Sequence, residues 1–101
     1  MISRIWHGHT TLEKAPAYEV IFKEEVVNII QEKAINGFID IQLLKRPKQH
    51  EMEFMTIMRF ESLGAVKAFA GEDYETAFVP EKVREILTKF DLEVAHYETV
   101  E

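Results

Sequence analysis

Residues 51–60 read Glu51-Met52-Glu53-Phe54-Met55-Thr56-Ile57-Met58-Arg59-Phe60. In an extended strand, alternate side chains point to opposite faces. One face of this strand then carries Met52, Phe54, Thr56, Met58 and Phe60. The other carries Glu53, Met55, Ile57 and Arg59. A sheet with one solvated face shows polar residues at every second position. This strand does not, because both of its faces are substantially apolar. The strand before it, Phe38 to Lys45, behaves alike. Phe38, Gln42 and Leu44 alternate on one face, and Ile39, Ile41 and Leu43 on the other. Arg46 to His50 holds Pro47 and polar residues, so it reads as a turn, and a connection this short makes an antiparallel hairpin.

Outward from the hairpin, Pro16 suits only the first turn of a helix, which therefore starts near Lys14 or Ala15. Tyr18, Ile21, Phe22, Val26, Ile29 and Ile30 recur at helical spacing and carry it to about Ala34. Asn36-Gly37 is expected to end it. Ile2 to His9 alternates and contains Ile5 and Trp6, so it reads as the first strand. Ser62 is a good N-cap for a short helix burying Leu63, Val66, Phe69 and Ala70. Pro80 opens a further helix with the stripe Val83, Ile86, Leu87 and Phe90. Asp91 to Val100 closes as the fourth strand. The order β-α-β-β-α-α-β predicts an α+β fold of two similar halves. A ferredoxin-like plan, with a four-stranded antiparallel sheet, is the simplest way to close it. Its helices cover one sheet face. The second face needs another cover, and the economical one is a second copy of the sheet, giving a homodimer. The alternative is a monomer with a bare apolar face.

The length of 101 residues fits one domain, residues 1–101. A hydrophobic fraction of 47%, with seven Phe, fits a filled core and excludes disorder. The net charge of −6 argues against a sequence-independent grip on nucleic acid and against anionic membrane surfaces. There is no cysteine, which excludes disulfides and thiolate chemistry and fits a reducing, cytoplasmic setting. Met1 to His9 does not read as a signal peptide, and no run approaches the ~18 apolar residues of a membrane span.

No phosphate loop, nucleophile elbow or zinc-protease motif is present. Candidate chemistry rests on single residues. Glu25 falls, at about 100° per residue, among Tyr18, Ile21, Phe22 and Ile29 on the apolar stripe. A carboxylate there is either paired at the stripe's edge or serves as an anchor or general base in a helix–sheet pocket. His96 lies mid-strand and reads as a proton shuttle or as a hydrogen-bonded core or interface residue. Arg59 on a mostly apolar face needs an acceptor, with Glu25 or a carboxylate of a partner chain as candidates. His7 and His9 share a face but lack a third ligand, so no metal site is expected and a rim or interface position is favoured. His50 reads as a surface residue. Trp6, Phe22, Phe69, Tyr74 and Phe78 are candidates to line a cavity for a flat ligand, or else pack as ordinary core.

Several segments resemble one family. Ile5-Trp6-His7-Gly8, Phe69-Ala70-Gly71-Glu72-Asp73-Tyr74-Glu75 with Val79-Pro80, and Ala95-His96-Tyr97-Glu98 are similar to segments of the antibiotic biosynthesis monooxygenases. With Tyr18 and Glu25-Val26, the likeness runs in order along the chain. The resemblance implies a dimeric α/β barrel in which two ferredoxin-like sheets pack face to face, with a pocket in each subunit. It further implies oxygenation of a small aromatic or quinone-type molecule with no cofactor, or haem degradation. The haem-degrading branch uses an Asn, a Trp and a His that fall here at Gly8, Phe69 and Val79, and none is kept. The reading is therefore a cofactor-independent monooxygenase-like protein with Glu25, His96 and Arg59 as polar candidates. The alternative is a non-catalytic ligand-binding or stress-response dimer.

Overall fold

The computed structural model describes residues 1–101. Strand β1 (Ile2–Thr10) leads into helix α1 (Ala15–Ile21), a π-helical segment (Phe22–Val26) and helix α2 (Val27–Lys33). Strands β2 (Phe38–Pro47) and β3 (Met52–Phe60) form the hairpin. Helices α3 (Leu63–Ala70) and α4 (Glu81–Ile86) precede the short strands β4 (Lys89–Phe90) and β5 (Ala95–Glu98). The sheet order is β2-β3-β1, with β4 and β5 both on the free edge of β1, and every pairing is antiparallel. This is the ferredoxin-like order expected from the element sequence. The single fourth strand is instead two pieces. Gly8 faces Phe90 and Ile5 faces Ala95, so the residues between Phe90 and Ala95 bulge out of the ladder. Asp91 anchors the bulge, taking His7 N–H on Oδ2 at 2.9 Å and Trp6 Nε1–H on its carbonyl at 2.8 Å.

Local chemistry explains most boundaries. Pro16 sits in the first turn of α1. Ser62 caps α3, its hydroxyl accepting Ala65 N–H at 3.2 Å. The long helix ends on Ala34 in the left-handed region (φ 46°), ahead of the expected Asn36-Gly37. Gly37 has φ 89° and starts the turn into β2. Pro80 caps α4 from outside and is not its first helical residue. Phe90 is not on that helix's stripe. The helix stops at Ile86 because Thr88 turns its N–H to His9 O at 2.7 Å, feeding the chain into β4.

The helices cover the face expected from β3: Phe54, Thr56, Met58 and Phe60 are all buried beneath them. Full burial of Phe54 and Phe60 contributes about 1.5–3 kcal/mol each. On β2 the faces differ from simple alternation. A bulge between Phe38 and Asp40 puts Phe38, Ile41 and Leu43 against the helix-side core. Ile39 and Leu44 are left exposed. The outer face lies uncovered in the chain. Gln42, Ile57, Ile5 and Ala95 form one row across it, and Leu44, Met55 and His7 the next.

Candidate functional site

The helix-side core is not continuous. One cluster gathers Ile2, Ile30, Met58, Phe60, Ala65 and Val66, and a second gathers Ala15, Tyr18, Phe54, Val79, Val83 and Leu87. A cavity of about 530 Å³ draws its walls from both. Its floor is the sheet: Arg4 and Trp6 of β1, Ile41 of β2, Thr56 and Met58 of β3. The long helix supplies Tyr18, Phe22, Val26, Ile29, Ile30 and Lys33. The far wall is Phe69 and Ala70 with the segment from Thr76 to Pro80. Pockets of this volume, mostly apolar with a few polar groups, are the usual form of small-molecule sites. A second hollow of about 640 Å³ runs beside β5, but it is more open and is bordered by Glu75, Glu93 and Glu98.

The expected aromatic wall is largely present. Trp6, Phe22, Phe69 and Phe78 all border the cavity, with Phe78 at its mouth and 88% exposed. Tyr74 does not border it. It lies outside, its ring edge-on to His96 at 5.2 Å. The Trp6 indole is fixed by its bond to the Asp91 carbonyl and by the tilted ring of Phe90 at 6.0 Å.

Two of the expected polar residues lie elsewhere. Glu25 is not in the helix–sheet space; its carboxylate takes Lys82 Nζ at 2.7 Å in a part-exposed ion pair. The cause is the π-helical segment that contains it. There the N–H of Val27 reaches back to Phe22 O, five residues away. Each residue of this wider turn advances by less than in an α-helix, so the stripe slips in phase. Val26 continues the wall, and Glu25 rotates out to solvent. Arg59 sits on the opposite face of the sheet, where Asp40 across the hairpin receives it through two hydrogen bonds, Nε to Oδ1 at 2.7 Å and Nη2 to Oδ2. That pair holds the Asp40 carboxyl below its usual pKa. Asp40, and not Glu25, is the acceptor within the chain. His7 meets Asp91 at 2.8 Å and His9 meets Glu51 at 3.4 Å, one carboxylate each.

His96 stands one step behind the cavity. Its Nε2 lies 2.9 Å from Arg4 Nη1, and Arg4 also donates from Nη1 to the Tyr74 carbonyl at 2.7 Å. Burial first, and the Arg4 charge second, hold the His96 imidazole below the usual histidine pKa. A neutral ring can accept from the guanidinium; an imidazolium could not. His96 thus meets Arg4 and does not itself border the cavity. Arg4 is the polar group that the sequence reading passed over. Its signal was parity: in Ile2-Ser3-Arg4-Ile5-Trp6, Arg4 shares the inward face with Ile2 and Trp6. Burial lowers the Arg4 pKa, and no carboxylate offsets the effect. The phenol of Tyr18, beside Thr56, is pushed up to about 12 by burial, so it stays a neutral donor.

The haem-degrading constellation does not fit this wall. Phe69 and Val79 border the cavity, but neither carries a polar group. At Gly8 even a Cβ would meet Leu87 Cδ1 at 3.0 Å and the Trp6 ring at 3.2 Å, so an asparagine there would push both side chains aside.

No helix is long and apolar enough to cross a membrane. No protein-family model matches the chain, and no curated protein sequence does. Solved structures do. A Bacillus cereus protein assigned as an antibiotic biosynthesis monooxygenase matches at TM-score 0.66 and 17% identity, over 99% of this chain and 91% of that one. The haem degrader MhuD of Mycobacterium tuberculosis, with two haems in its active site, matches at TM-score 0.68 and 20% identity, over 99% and 96%. A point mutant of MhuD with two manganese protoporphyrin IX per active site matches at 0.69 and 21%, over 99% and 95%. The chain therefore has the ferredoxin-like α+β fold of these proteins, which is the fold implied by its resemblance to the antibiotic biosynthesis monooxygenases.

Proposed function

We propose that this chain is a monooxygenase-like member of the antibiotic biosynthesis monooxygenase family, acting in the cytoplasm on a small aromatic or quinone-type molecule. The observation that carries this reading is the aromatic-walled cavity between helix and sheet. Arg4 and Lys33 are the charged groups on its wall, and both favour the anionic form of a bound acidic substrate. An electron-rich aromatic anion can itself reduce oxygen. In the balanced reaction a ring CH2 and O2 become a carbonyl and water: one oxygen atom enters the substrate and the other leaves as water. Glu25 and Arg59 lie off the wall and have no part in this scheme, and His96 acts through Arg4. We also propose a homodimer through the uncovered sheet face, whose rows of Ile5, Ile57, Met55 and Leu44 need a cover.

An oxygen electrode tests the reaction. With 1,8-dihydroxyanthrone, whose ring CH2 is the reacting group, the chain is expected to drive oxygen uptake above the uncatalysed rate, one O2 per molecule oxidised. Saturable binding without uptake would select the non-catalytic ligand-binding reading. Tight one-to-one haem binding by absorbance would instead favour haem degradation, the role of MhuD.

A further inference from the structure

We infer that the cavity selects aromatic ligands that carry a carboxylate, and that Arg4 is the residue that recognises it. The inference rests on reading this cavity as a ligand site, and it adds the ligand's charge and the group that reads it.

Arg4 is nine-tenths buried, with 9% of its surface exposed. A guanidinium has five N–H donors. Both hydrogens of Nη1 are used, on the Tyr74 carbonyl at 2.7 Å and on His96 Nε2 at 2.9 Å. Nη2 and Nε find no protein acceptor, although Arg4 borders the cavity. Its charge has no carboxylate within ion-pair distance, and burial alone sets the direction of its pKa. Such an arrangement is costly: buried charges in proteins are ordinarily paired. Here the pairing group is absent from the chain itself. The sequence holds 18 Asp and Glu residues, yet none of them borders the cavity.

The remaining geometry fits a carboxylate. Nη1 is fixed by two acceptors, and the guanidinium lies 5.7 Å from the Phe69 ring centroid. The plane is therefore pre-oriented. Nε and Nη2 lie on one edge of a guanidinium and match the two oxygens of a carboxylate. Lys33 adds a second cation at the cavity wall, its Nζ 4.6 Å from the centroid of that same Phe69 ring. Apolar walls of Trp6, Phe22 and Met58 suit a flat hydrocarbon body.

Calorimetry with 2-naphthoate and its neutral isostere 2-naphthamide tests this. A hydrogen-bonded, desolvated charge is worth roughly ten- to hundredfold in affinity, so naphthoate is expected to bind that much tighter. Arg4→Met should abolish the preference, bringing the two probes to similar affinities, and Arg4→Lys should retain part of it. Equal binding of the two probes to the unmodified protein overturns the inference and leaves the pocket reading intact. So does a preference that survives in a folded Arg4→Met protein. If neither probe binds, the inference falls together with the pocket reading beneath it.

Discussion

Replacing Gly37 by alanine is expected to remove about 2–6 kcal/mol of folding stability. Two separate effects add. Gly37 has φ 89°, a region that side chains other than glycine enter at a cost of about 1–3 kcal/mol. A Cβ at this position would also lie 2.8 Å from the Ala65 Cβ, which is buried in the core beside Phe60 and Val66. Overpacking of that kind costs a further ~1–3 kcal/mol. The backbone cannot simply move away, because Gly37 O accepts Glu61 N–H at 2.7 Å where the hairpin meets α3. A domain this size holds about 5–15 kcal/mol in total, so the variant should melt roughly 10–30 °C lower. Urea unfolding gives the loss directly. Adding Ala65→Gly should return the packing share and leave the backbone share. A loss below about 1 kcal/mol for Gly37→Ala would mean that the turn is not held as described.

Ile57→Lys is expected to convert the proposed dimer into folded monomers. Ile57 lies in the middle strand of the outer face, between Ile5 on β1 and Gln42 on β2. If two such faces pack together, this row lies at or near the centre of the contact. A lysine there has no carboxylate in its own row and would be stripped of water without a partner, at a cost of several kcal/mol. The same substitution barely touches the chain's own core, which lies on the other side of the sheet. Light scattering should therefore report twice the 11.8 kDa chain mass for the parent protein and 11.8 kDa for the variant, with unchanged circular dichroism. A parent protein already at 11.8 kDa contradicts the dimer. A variant that stays at double mass contradicts this face as its seam.

Much of the fold was legible because local chemistry and global pattern agree. Pro16, Ser62 and the two-faced β3 each set a boundary or a face that the structure keeps. Misplacements occur where the chain departs from regular geometry. Regular alternation cannot see the bulge at Ile39, which moves Phe38 to the face of Ile41. A fixed helical angle cannot see the π-helical segment, which turns Glu25 toward Lys82. Phe90 keeps helical spacing but is claimed by the open edge of β1. For the site, the large aromatic side chains were legible as candidate walls, and all but Tyr74 border the cavity. Arg59 drew attention because its surroundings on β3 are apolar, yet its partner Asp40 lies on the neighbouring strand. Arg4 carried the same kind of signal on β1, inside the fold, where no chain carboxylate answers it.

The proposed function requires that the helix–sheet cavity take up a flat molecule. Trp6 is the only tryptophan in the chain and forms part of the cavity floor, so its fluorescence reports on this space alone. Titration with 1,4-naphthoquinone, a strong quencher, is predicted to give saturable quenching at one molecule per chain. Filling the space with Ala70→Phe should weaken that binding about tenfold or more. Quenching that rises linearly without saturation, and equally in Ala70→Phe, would show that the cavity takes up no such molecule.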